Sequence, residues 1–185
     1  MSIPDAPDTE LAREAAERLR AVASPAVFNH SMRCWLMGRA WAARRGVEHD
    51  DEGLFLAALF HDLGLCAAHR DRRRPFPTVG SRLLRDFLAA REVAPERLGR
   101  LVDAIDHHMQ PLPRWSKGPD AALLHIGAWM DITWLRRLAI RGEAGPILRA
   151  WPRLGIHWRF PCALLAAQGS IGAAVGLLFP GPWRD

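Results

Sequence analysis

The sequence predicts an all-α protein, folded as one helical bundle, and three observations predict it. No stretch of the 185 residues alternates apolar and polar side chains as a half-buried strand would. Alanine, leucine and arginine, all good helix formers, are abundant. Apolar side chains recur three and four positions apart, between prolines and glycines placed where helices begin and end.

Taken in order, Asp8 or Thr9 caps a first helix that reaches about residue 23, with Leu11, Ala15, Leu19 and Val22 on one face. Pro25 opens a second helix and Gly46 closes it; His30, Arg33, Cys34 and Met37 share a stripe along it. Asp50 or Asp51 starts a third, apolar throughout from Leu54 to Phe60. It ends at the doublet His61-Asp62, just ahead of Gly64. A polar loop from Cys66 to Pro77 borders the doublet. A fourth helix over about residues 78–91 turns Leu83, Leu84, Phe87 and Leu88 inward. Pro95 begins a fifth, which ends at His107-His108. Residues 110–120 read as a proline-rich loop. Pro119 opens a sixth helix, predicted to run to about residue 140, with Leu124, Ala128, Asp131 and Leu135 on one stripe. Gly145-Pro146 starts a short helix to about Trp151. Residues 160–179 are mostly apolar and near the length of a membrane span. Gln168, Ser170 and several glycines lower their hydrophobicity, so a helix packed on the core is preferred over a membrane anchor.

Hydrophobic residues make up 49% of the chain, which suits one domain with a sizeable core. The three cysteines, Cys34, Cys66 and Cys162, are scattered, so neither a disulfide framework nor a cysteine zinc site is expected. The first ten residues are polar and acidic, unlike a secretory signal, and a cytoplasmic protein is expected. The net charge of +5 comes almost wholly from dispersed arginine, with Lys117 the only lysine. The one cluster, Arg70, Arg72, Arg73 and Arg74, reads as a solvated loop or as a steering patch for an anion. Basic and aromatic residues do not interleave as in a nucleic-acid module, so no nucleic-acid partner is expected.

Two acids fall on apolar helix faces, Asp62 and Asp131. A buried carboxylate needs a cation, a full set of hydrogen bonds or a raised pKa. The neighbouring His61 makes a metal an economical cation for Asp62; a core histidine beside a capping aspartate is the plainer alternative. For Asp131 the plainer alternative is an ion pair with one of the arginines.

The ordered set His30, His61-Asp62 and Asp131, with the local wording FNHSMR (residues 28–33) and LFHDLG (residues 59–64), resembles the HD-domain superfamily of metal-dependent hydrolases. It looks most like the cyanamide hydratase-like branch, over about residues 24–137. The resemblance implies one divalent metal held by His30, His61, Asp62 and Asp131, with zinc named first; Fe, Mn, Co and Ni suit the same ligand types. It implies an HD-type bundle with an N-terminal helix over residues 1–23, a metal-binding core over 24–141 and C-terminal helices over 142–185, one domain overall. A metal-activated water acting on a small molecule is the implied chemistry, as in addition of water to cyanamide to give urea. His108 matches a histidine near the end of the fifth helix in that branch, so His108, His107 and Asp62 are the catalytic candidates; a C-terminal helix charge is the alternative for the histidines. Arg33, Asn29, Trp129 and Trp134 are the candidates for holding substrate.

Two departures from the superfamily pattern bear on the alternatives. Dinuclear members carry a histidine ahead of the glycine that here is Gly80, and this chain has Phe76 there, with His69 as a substitute from the loop. Phosphodiesterase-like members often carry a lysine soon after the doublet, and none follows here. Both weigh against a dinuclear-iron oxygenase and against a nucleotide phosphohydrolase clamped by Arg72 to Arg74. A non-catalytic binding protein on the same scaffold stays open. A small-molecule substrate and a homodimer are the expected partners.

Overall fold

The computed structural model describes residues 6–168. Eight helices follow one another: α1 (Glu10–Val22), α2 (Pro25–Arg45), α3 (Asp51–Phe60), α4 (Phe76–Ala89), α5 (Pro95–His107), α6 (Pro119–Ile132), α7 (Arg141–Ala150) and α8 (Ile156–Gln168). No strand occurs among the described residues. The fold is an all-α helical bundle, as the sequence predicts.

Local chemistry starts the helices. Thr9 Oγ1 accepts from the Ala12 amide at 3.1 Å, and Asp50 Oδ1 accepts from the Gly53 amide at 2.9 Å. Each satisfies a donor that the first turn leaves without an intrahelical partner. Pro25, Pro95 and Pro119 each occupy the first helical position, where a missing N–H costs nothing.

Three boundaries differ from expectation. α4 begins at Phe76, about one half-turn early. α6 stops at Ile132 instead of about residue 140. Thr133 adopts extended angles (φ −108°, ψ 119°), and its hydroxyl donates to the Trp129 carbonyl at 2.5 Å. Residues 134–140 then continue as a tighter 3₁₀ turn. α7 starts at Arg141, so Pro146 lies inside it and does not open it.

The centre of the bundle is α3, buried along its whole apolar run; Leu54 through Phe60 are all at most 2% exposed. Burying such side chains contributes on the order of 1.5–3 kcal/mol each. Two glycines set the spacing around α3. A Cβ on Gly127 of α6 would collide with the Cys34 carbonyl oxygen of α2, so the two helix backbones touch there. That contact brings His30 and Arg33 opposite Asp131. A Cβ on Gly80 of α4 would likewise collide with the Phe60 carbonyl, which seats α4 directly on the backbone of the doublet.

α8 packs against the turn Leu63–Leu65 and against α2. Of the apolar stretch 160–179, residues 169–179 lie outside the described residues. Among the described residues no helix is long and apolar enough to cross a membrane.

Candidate metal centre

Four ligand-type side chains meet where α2, the end of α3 and the end of α5 converge. His30 comes from α2, His61 and Asp62 from the end of α3, and His108 from the end of α5. All four are at most 2% exposed. His30 Nε2 lies 3.3 Å from His61 Nε2, and each of these nitrogens lies 3.4 Å from Asp62 Oδ2. Tetrahedral coordination with bonds of about 2.0–2.2 Å requires donor pairs about 3.3–3.6 Å apart. The three atoms therefore form one face of such a tetrahedron without any adjustment.

The ring orientations support this. His61 Nδ1 lies 2.7 Å from the Ala58 carbonyl and His108 Nδ1 lies 2.7 Å from the Ile105 carbonyl. A carbonyl only accepts, so each Nδ1 carries the proton and each Nε2 presents a lone pair. His108 Nε2 and Asp62 Oδ1 have no hydrogen-bond partner and stand 3.9 Å apart, beyond hydrogen-bond reach. Lone pairs facing one another in a buried space are costly until a cation or a donor lies between them. A ring held through Nδ1 by a carbonyl, with Nε2 free, is the arrangement that metal-binding histidines require.

The electrostatics divide the four donors: His61 and His108 are held neutral, while His30 and Asp62 hold a proton more readily than usual and would release it to a metal. Burial pushes His61 and His108 down to about 3, and in each case a neighbouring histidine adds to the drop. Both are therefore neutral at pH 7, the state that ligates. Burial pushes the Asp62 carboxyl up, against the pull of His30 and His108. Burial also pulls His30 down, but the Cys34 sulfur and the Asp131 carboxylate outweigh it and raise His30 well above its ordinary value. Cys34 Sγ sits 3.4 Å from His30 Nε2, and burial raises that thiol.

Asp131, read from sequence as a fourth ligand, is turned elsewhere. Arg33 grips it with both arms of its fork, Nε to Oδ1 and Nη2 to Oδ2, each at 2.7 Å, and His30 Nδ1 meets Oδ2 at 2.6 Å. Burial works against this carboxylate, but His30 and Arg33 hold it far below the carboxylate range. It thus meets His30 through Nδ1, while the face of donors uses Nε2, and it does not line the cavity described below. Ion pair and site contact, which the sequence reading treats as alternatives, occur together.

Three further candidates face away from the cavity. Arg33 has its remaining arm, Nη1, donating to the Trp151 and Pro152 carbonyls at 2.9 and 3.0 Å. Asn29 also points away, its amide donating to the Pro152 carbonyl at 2.9 Å. His107 points back along its own helix, bonding the Asp103 carbonyl at 2.7 Å, and does not line the cavity. The side chain of Trp134 lies outside the described residues. Trp129 does line the cavity, with its Nε1 donating to the His108 carbonyl at 3.3 Å.

The cavity itself has a volume of about 60 Å³. His30, His61, Asp62 and His108 form its polar end, and Met109, Ala128, Trp129, Ile132 and Phe160 its apolar walls. Sequence reasoning missed Phe160, whose place depends on how α8 docks and which no local pattern marks. His125 is fully buried behind His108: its Nδ1 donates to the His108 carbonyl at 3.1 Å and its Nε2 accepts from Arg136 at 3.3 Å.

The HD domain family model matches residues 27–133, more than half of the chain, and the match spans His30, the doublet, His108 and Asp131. A search for similar curated proteins finds no match. With its buried histidine and aspartate donors and this match, the chain belongs to the HD domain family, a superfamily made up mostly of metal-dependent hydrolases.

Proposed function

We propose that the protein is a mononuclear metal-dependent hydrolase or hydro-lyase acting on a small neutral molecule, with hydration of cyanamide to urea as the reaction to test first. The observation that carries this reading is the triangle of His30 Nε2, His61 Nε2 and Asp62 Oδ2, with sides of 3.3, 3.4 and 3.4 Å. Nitrogen and carboxylate donors on a tetrahedral face suit zinc first.

A divalent ion held there would supply a Lewis acid and a water whose pKa is lowered towards ~7. The chain's own residues do the rest. Ala58 and Ile105 fix the imidazoles of His61 and His108 through their carbonyls. Asp131 fixes His30 through Nδ1, in turn held by the Arg33 fork. His108 Nε2 faces Asp62 Oδ1 across 3.9 Å, so it is positioned to contact the substrate or to move a proton at that atom. The apolar walls lower the local dielectric and so strengthen the charge interactions inside.

Two observations weigh against the other reactions of the superfamily. Among the described residues no lysine or arginine lines the cavity to hold a phosphate, and its volume of about 60 Å³ is far below the roughly 300 Å³ at which sites for larger ligands begin. Phe76, standing where dinuclear members carry a histidine, is buried with its ring 5.6 Å from that of His108.

Elemental analysis of the purified protein should find about one metal per chain, and His61→Ala or Asp62→Ala should abolish it. The metal-loaded protein should release urea from cyanamide and leave a panel of nucleoside monophosphates intact. Protein that never retains stoichiometric metal would overturn the reading; nucleotide turnover without urea release would replace the proposed reaction by phosphohydrolysis.

A further inference from the structure

A second cavity lies against the first. Its volume is about 280 Å³, and it is framed by Val22, Ser24 and Val27 where α1 meets α2, by Cys66 after the doublet, and by Ile156 and Ala163 of α8. Among the described residues only Asp62 and Phe160 line both cavities. Asp62 is fixed by the end of α3. Phe160 is carried by α8, and its ring centroid stands 6.4 Å from that of His30.

We propose that Phe160 is the partition between the two cavities and sets the size of substrate that reaches the donor cluster. With the ring in place, the donors share about 60 Å³, room for a molecule of a few heavy atoms. Without it, the same donors would open onto the larger space, whose walls are mostly apolar. The substrate class of the present protein is accordingly a short, uncharged molecule with no bulky tail. Removing the ring would admit the same reactive head carrying an apolar tail.

The position of α8 makes Phe160 a fixed wall. The connection ahead of α8 is tied to α2 by Asn29 on the Pro152 carbonyl and by Arg33 on the Trp151 and Pro152 carbonyls. Arg153 in the same connection donates to the Asp131 carbonyl at 2.7 Å. The Arg33 that grips Asp131 therefore also fixes the helix that carries the partition.

The inference rests on the metal reading above, and the test separates the two. Co(II)-loaded protein is titrated with acetohydroxamate and with benzohydroxamate, which share a metal-binding head and differ in a methyl against a phenyl tail; cobalt absorption reports binding without any turnover. In the unaltered protein the methyl probe should bind at least about tenfold more tightly than the phenyl probe. Phe160→Ala should tighten the phenyl probe by about tenfold or more and leave the methyl probe within about threefold. Phe160→Val, which keeps apolar bulk on α8, should shift the phenyl probe in the same direction by less. Equal binding of the two probes by the unaltered protein, or a phenyl probe unmoved by both variants, would overturn the partition while leaving the metal reading in place. Failure of Co(II) to bind would overturn both.

Discussion

His30 is held at both edges of its ring, and the two edges do different work. Nε2 faces His61 and Asp62, while Nδ1 faces an Asp131 already gripped twice by Arg33. Replacing Asp131 by asparagine keeps the shape but removes one acceptor and the charge. Loss of such a supporting carboxylate weakens metal affinity by about 10–100-fold, and we expect Asp131→Asn to fall in that range in competition with a chromophoric chelator. A loss under about threefold would remove Asp131 from the site, and complete loss of stoichiometric metal would mark it as a direct ligand. Arg33 answers a different question. Arg33→Ala takes both arms of the fork from a fully buried carboxylate and frees the Trp151 carbonyl, so urea unfolding of the metal-free protein should show about 3–5 kcal/mol of lost stability. Arg33→Lys should recover only part of it, since an ammonium cannot reproduce the two-armed contact.

Between helices, contact depends on what the backbone leaves room for, and two glycines make the comparison. At Gly127 a methyl group would strike the Cys34 carbonyl, forcing α2 and α6 apart at the level of His30 and Asp131. Gly127→Ala should cost at least about 1–3 kcal/mol and weaken metal binding with it. Gly99, exposed in the interior of α5, has nothing within 4 Å of an added methyl. Gly99→Ala should stabilise by about 0.5–1 kcal/mol, read from the same denaturation curves, and leave metal binding alone. The same contrast explains what could be read in advance. Helix starts were legible because Thr9, Asp50, Pro25, Pro95 and Pro119 act on their own first turns. The end of α6 was not, because the apolar stripe runs on past Ile132 while one hydroxyl of Thr133 breaks the helix. At the site, His30, the doublet and His108 were legible from residue type and order. The orientation of Asp131 and the wall at Phe160 depend on which atoms face which after α2, α6 and α8 dock, and spacing along the chain carries no such information.

For the molecule as a whole, the buried histidines decide how stability varies with pH. His61 and His108 are pushed down to about 3, by burial first, and His125 to about 4, by burial and then by Arg136. Unfolding returns each to an ordinary value of about 6.5, so the unfolded chain binds more protons across that interval. Their contribution is complete above about pH 6.5 and is lost as the pH falls, by at most about 1.4 kcal/mol per pH unit for each histidine. His30 runs the other way: its protonated form is favoured in the folded chain, so its contribution is complete below about pH 6.5 and is lost as the pH rises through the raised value. Asp131, whose pKa is lowered by His30 and Arg33 against the effect of burial, loses its contribution only in stronger acid. Melting curves of chelator-treated protein should therefore peak near neutrality and fall steeply from about pH 6.5 to pH 5. Added zinc should raise the melting temperature more at pH 7.5 than at pH 5.5, since protons and metal compete for the same nitrogens. A melting temperature that stays level between pH 7 and pH 5 without metal would mean that these rings are not held neutral in the folded chain. The lone pairs of His61 and His108, which the proposed metal site needs, would then not be available.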